Sequence, residues 1–181
     1  DAPNGFAAVL LQNRTSGEKV LAVRGTEASH GWIDYITDIV NIAALGTVAG
    51  MAQYQALEAF YQQLVASGKL TTTEQVTVTG HSLGGFLAEA FTARHPSAVG
   101  AAYTYNAPGF GGVATQILEF FGITDASAAN GKIINVRATD GVSATAGLGQ
   151  MLGTVQQIRI EPGSANPVYY HSIATLTDTL S

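Results

Sequence analysis

Gln75-Val76-Thr77-Val78-Thr79-Gly80-His81-Ser82-Leu83-Gly84-Gly85 runs from a β-branched segment straight into a glycine-rich turn. Its last six residues satisfy the G-x-S-x-G pattern of a nucleophile elbow, in which a strand turns sharply into a helix with a serine at the bend. The pattern is short enough to arise by chance, and its setting makes it informative. Val76 to Val78 read as a strand ending just before it. Leu83 to Arg94 read as a helix starting just after it and stopping at His95-Pro96. Such a bend forces strained dihedrals on Ser82. Gly80 and Gly84 lack Cβ atoms, so strand and helix can approach around it. Ser82 then projects its Oγ at the carboxyl end of the sheet, and the helix start offers a free Leu83 N–H where an oxyanion would form. A glycine-rich nucleotide-binding turn is the rival reading. The stretch has neither the P-loop lysine nor the G-x-G-x-x-G spacing.

Outward from this bend, Met51, Tyr54, Leu57, Phe60, Tyr61, Leu64 and Val65 fall at helical spacing. They predict a helix over 48–67, ended by Gly68. Phe6 to Gln12 and Lys19 to Arg24 read as strands joined by the turn cluster Asn13 to Glu18, so that edge is expected to be an antiparallel hairpin. Gln75 to Thr79, short and β-branched, reads as a buried strand. Beyond the elbow, Val99 to Tyr105, Lys132 to Arg137 and Val155 to Ile160 read as strands. Val113 to Phe121 and Ser172 to Leu180 read as helices. Strands alternating with helices predict an α/β fold: an α/β-hydrolase-like three-layer sandwich with a mostly parallel central sheet and an antiparallel edge hairpin. Without repeats or linker-like runs, residues 1–181 are expected to form one domain, with the core of a longer chain as the alternative.

A serine hydroxyl needs a base, and the base needs an orienting group. In α/β hydrolases the chain order is Ser, acid, His. Of the four histidines, His30 precedes Ser82 and His81 sits inside the bend. His95 lies on the helix leaving the bend, too close to serve. His171 remains, in the loop Tyr169-Tyr170-His171-Ser172. Among the acids between Ser82 and His171, Glu89 and Glu119 lie in predicted helices and Glu161 precedes Pro162. Asp140 follows the strand 132–137 directly, at the same sheet edge as Ser82, and is favoured, with Asp125 as runner-up. The plainer reading of Asp140 is a turn-forming residue before Gly141. A second oxyanion donor is expected after an early strand, where Arg24-Gly25-Thr26 stands, so Thr26 joins Leu83 in that role.

Composition narrows the functions further. Apolar residues make up 46% of the 181 and charged residues 12%, which suits a folded core. A net charge of -5, with eight scattered Lys and Arg, argues against nucleic acid and against attraction to anionic lipid. The absence of cysteine removes disulfides, thiolate catalysis and Cys-based metal sites. The longest uncharged stretch, Ile39 to Leu57, holds Asn41, Gln53 and Gln55 and is a poor membrane span. Neither a calcium loop nor an H-E-x-x-H zinc motif occurs, so no cofactor or metal is expected. Richness in Ala, Gly and Thr with few Lys suggests bacterial secretion, of the chain itself or of a larger protein containing it.

With these pieces assembled, the chain resembles the class 3 lipase family, in its bacterial-type members or domains. The matching stretches are Val23-Arg24-Gly25-Thr26, Gly31-Trp32-Ile33-Asp34, Val78 to Gly85, Tyr105-Asn106-Ala107-Pro108-Gly109, Asp140-Gly141-Val142 and Tyr170-His171, in the family's order. The resemblance implies Ser82, Asp140 and His171 as triad, with Thr26 and Leu83 lining the oxyanion hole. It implies a lipase or esterase that degrades lipid esters and makes at most transient contact with a lipid interface. A phospholipase A-type or short-chain esterase is the near alternative. A non-catalytic binding domain that kept the fold is the distant one. Family members are usually longer, with an N-terminal helical portion, and usually carry a proline-containing stretch after the acid, where Val142-Ser143-Ala144 stands here. A lid is common among them, with Trp32 to Leu45 and then Val113 to Phe121 as candidates, though the plainer reading of both is a core-packed element.

Overall fold

The computed structural model describes residues 5–25, 48–110, 118–123, 125–139, 150–160, 172 and 174. Among them, six strands form one sheet in the order β1-β2-β3-β4-β5-β6. These are β1 (Ala8–Gln12), β2 (Lys19–Val23), β3 (Val76–His81), β4 (Val99–Tyr105), β5 (Ile133–Ala138) and β6 (Thr154–Ile158). β1 pairs antiparallel with β2 through the predicted hairpin, and every later pairing is parallel. Helices interleave with the strands, among them α1 (Val48–Ala66), α2 (Leu83–Arg94) and a single turn, α3 (Ser127–Asn130). The α/β architecture with an antiparallel edge is the one expected.

α2 explains where the core sits. Its sequence is apolar all round, with Glu89 and Thr92 the polar exceptions before Arg94, and such a helix has to be buried on every side. Leu83 to Ala93 are all buried. One side of α2 lies on β3 and β4, and α1 covers it through Leu57, Tyr61 and Leu64. The stripe predicted on α1 faces this core, while Gln55, Gln62 and Gln63 face out.

Strand alternation then assigns the two sheet faces. Leu21, Val78, Ala102 and Ile133 stand in register across four strands, under α2. Val9, Ala22, Thr79 and Tyr103 stand in register on the other face, where Val9, Leu11 and Tyr103 are exposed. β3 therefore alternates buried and half-buried residues, whereas its β-branched sequence suggested burial on both sides. The predicted strand 155–160 is observed two residues shorter at its end. α3 was not foreseen. Of the predicted helix 113–121, residues 118–120 are helical and the rest up to 117 lies outside the described residues. Trp32 to Leu45, and most of 172–180, also lie outside them.

Candidate active site

Ser82 occupies the junction between β3 and α2 with φ 57° and ψ -126°. Positive φ is uncommon for a residue with a side chain, and this pair of angles costs on the order of 1–3 kcal/mol unless the surroundings enforce it. The surroundings do enforce it. The Ser82 N–H donates to the Tyr105 carbonyl at 2.9 Å, and the Ser82 carbonyl accepts from Gly85 and Phe86 N–H in the first turn of α2. A Cβ on Gly84 would lie 2.3 Å from the Val23 carbonyl oxygen, and one on Gly80 would lie 2.2 Å from the Gly84 carbonyl oxygen. Those contacts are too short for any side chain, so the glycines of the motif are what lets the elbow close onto β2.

The first helical position belongs to Leu83, whose N–H has no intrahelical acceptor and points out of the helix start with its partial positive charge. The chain leaving β2 passes beside it: a methyl group placed on Gly25 would sit 3.6 Å from the Leu83 nitrogen and 2.7 Å from the His81 carbonyl oxygen. Thr26, the next residue, lies outside the described residues, as do Asp140 and His171. Their approaches are described. Thr139 follows β5 and donates its N–H to the Ile158 carbonyl at 2.9 Å. β3, β4 and β5 run parallel, so their carboxyl ends, and with them Ser82 and Thr139, share one edge of the sheet. Carboxyl ends of parallel strands are where such folds assemble sites.

The residues set aside in the sequence have other duties. His95 Nε2 sits 2.8 Å from Glu58 Oε2, and Tyr54 donates its hydroxyl to Glu58 Oε1 at 2.6 Å. Burial alone would push the Glu58 carboxyl up, but hydrogen bonds from His95 and Tyr54, with the charges of His95 and Arg94, hold it below the usual range. Burial, reinforced by Glu58, pushes the Tyr54 hydroxyl well up. This cluster joins α1 to the end of α2. Asp125 accepts the Ser127 N–H at 2.8 Å, an ordinary turn contact on the surface, which holds its carboxyl below the usual range.

Glu89 was read only as a helical acid. It is fully buried beneath the sheet, two turns along α2 from Ser82. Its Oε1 lies 3.2 Å from the Thr104 hydroxyl, which also bonds Asn135 Oδ1. Asn135 Nδ2 donates to the Leu152 carbonyl at 2.5 Å, so Asn135 turns its oxygen toward Thr104. Thr104 has one proton and must give it to Asn135, which leaves its oxygen as acceptor toward Glu89. Glu89 therefore donates, and is a neutral acid. Burial, the largest cause, drives its carboxyl well above the usual range. The one sequence signal that separates such a glutamate from a surface one is its place on a helix that is apolar all round.

Among the described residues no group of three or more His, Asp or Glu gathers as a metal site would need, and no helix is long and apolar enough to cross a membrane. No protein family and no curated protein sequence matches the chain. Among solved structures it is similar to an acylaminoacyl peptidase from Pyrococcus horikoshii, with 11% identity and a TM-score of 0.48, over 92% of this chain and 30% of that one. It is also similar to a structure from a study of two fungal esterases from Rhizomucor miehei, with 13% identity and a TM-score of 0.37, over 97% of this chain and 82% of that one. The chain thus spans less than a third of the peptidase. The α/β assignment stands on the strand order and on the strand–turn–helix around Ser82.

Proposed function

We propose that the chain is a serine carboxylic-ester hydrolase acting on lipid esters. The observation that carries this reading is the backbone of Ser82, held at φ 57° and ψ -126° between a strand and the N-terminus of a buried helix. Strain of that kind persists only where the fold over-determines it, and a serine so held stands, fully buried, at the sheet edge beside a helix-start amide. The resemblance to class 3 lipases supplies the rest of the constellation, Asp140 and His171, with Thr26 beside Leu83.

In this mechanism His171 removes the Ser82 proton as Oγ attacks the ester carbonyl, and Asp140 holds the imidazole in the right tautomer and stabilises its charged form. The tetrahedral oxyanion is received by the N–H groups of Leu83 and Thr26, each worth roughly 3–4 kcal/mol in such sites. The alkoxide leaves as alcohol with the proton from His171. Water then attacks the acyl-enzyme with His171 again as base, releasing the acid and restoring Ser82.

The test is hydrolysis of p-nitrophenyl esters of graded chain length, with triacylglycerol emulsions and phospholipid vesicles alongside. The reading expects turnover that rises with acyl length and falls by about 1,000-fold or more in Ser82→Ala. Preference for short esters alone points to an esterase, and for phospholipid to a phospholipase A-type enzyme. Equal rates for the native chain and Ser82→Ala leave a binding role and refute the proposal.

A further inference from the structure

Two residues other than glycine adopt positive φ among the described residues: Ser82 and Asn106, the latter at φ 45°. Asn106 stands one residue past β4 and is fully buried. Its backbone N–H donates to the Val136 carbonyl at 2.9 Å, and its side-chain Oδ1 accepts the Ala138 N–H at 3.0 Å. Where β4 has ended, a side chain thus takes the place of a backbone carbonyl and carries the β4–β5 ladder two residues further. On the opposite side the same turn is tied to the elbow, because the Tyr105 carbonyl receives the Ser82 N–H at 2.9 Å. The far side of this strand end is fixed as well, by the bond from Thr139 to Ile158. A continuous path of hydrogen bonds therefore runs across the carboxyl edge, from Ser82 through Tyr105 and Asn106 to Ala138, two residues before Asp140.

The residue type fits both demands. Left-handed backbone is open to glycine, asparagine and aspartate at little strain. Glycine would satisfy the dihedral and leave the Ala138 N–H without an acceptor. Asparagine supplies the backbone and the acceptor together.

We infer that Asn106 is a positioning residue, which sets the separation between Ser82 and the strand end that aims Asp140. The inference rests on the reading of Asp140 as the triad acid. Loss of the bond leaves Ala138 held from the β6 side alone and lets the acid shift from the base it orients. A misplacement on the order of 1 Å in such a constellation costs up to about 100-fold in rate.

The experiment is a double-mutant cycle in the full chain, reading kcat and KM for a p-nitrophenyl ester together with the thermal midpoint. Asn106→Gly keeps the dihedral and deletes the acceptor. It is expected to lower kcat by about 10- to 100-fold with KM little changed. Asn106→Asp, which keeps an oxygen facing Ala138, is expected to recover most of that loss. In an Asp140→Ala background, Asn106→Gly is expected to add less than about 2-fold, because the group it aims is gone.

An equal fold-loss in both backgrounds would overturn the inference and leave the triad reading standing. So would a lowered thermal midpoint with kcat unchanged. Asp140→Ala with native activity removes the acid assignment and the inference with it. A native chain that turns over no ester refutes the hydrolase reading at its root.

Discussion

At Ser82 the fold holds a strained backbone by excluding side chains from its neighbours, and the exclusion is measurable. Gly84→Ala drives a methyl into the Val23 carbonyl, which is backbone and cannot swing away. The expected loss is about 1–3 kcal/mol in urea unfolding, with ester turnover falling in step. Gly131 is the control: its φ is -76° and a Cβ there meets nothing within 4 Å, so Gly131→Ala should gain up to about 1 kcal/mol. Glu89 gives a residue-scale prediction in pH. Its folded carboxyl is pushed well above the unfolded value near 4.5, so its contribution to stability is complete below that value and is lost as pH rises through the folded one. Glu89→Gln replaces the donated O–H by an N–H and cannot ionise. From pH 5 to pH 8 the variant should therefore gain on the native chain by up to about 1.4 kcal/mol per pH unit while the folded carboxyl stays neutral. A gap between the two that does not change with pH contradicts the proton assignment.

At the scale of elements, α1 and α2 are joined by more than apolar contact. Tyr54 and Glu58 of α1 meet His95 at the end of α2, and the ring of His95 lies against Tyr61 and Phe91. The Glu58 carboxyl is held below the usual range, so what it contributes is present above the unfolded value near 4.5 and is lost as pH falls through the folded one. Glu58→Gln should accordingly lower the thermal midpoint at pH 7, and lower it less as pH falls through the folded value, where the native chain loses the same interaction. Elements with strong local signals were legible. Leu83 to Arg94 and Val99 to Tyr105 have the expected ends, because Pro96 stops the helix and the strand ends where Asn106 turns left-handed. α3 was not legible, since Ser127-Ala128-Ala129-Asn130 is too short to show a period. Gln75 to Thr79 misled on burial because β-branched residues suit a half-covered strand as well as a covered one.

At the scale of the molecule, the sheet brings three separate strand ends to one edge, which no local reading of sequence can display. The place of Ser82 at the bend between strand and helix was legible because its glycines and its flanking elements are contiguous. The roles of Asn106 and Glu89 were not, because each depends on partners roughly 30 residues away or on burial. The composition also predicts how the whole chain meets lipid. With eight scattered Lys and Arg against thirteen Asp and Glu, nothing draws it to anionic headgroups. Hydrolysis of neutral-lipid emulsions should not accelerate when anionic lipid is added at low salt, and a marked acceleration that salt abolishes would contradict this.

The central claim is an activated serine at the end of β3. Labelling with a fluorophosphonate probe tests it most directly, comparing the native chain with Ser82→Ala and His171→Ala, each checked for folding by circular dichroism. The account predicts stoichiometric labelling of the native chain and none in either variant. A folded native chain that stays unlabelled, or a Ser82→Ala chain that labels as well as the native one, would contradict it.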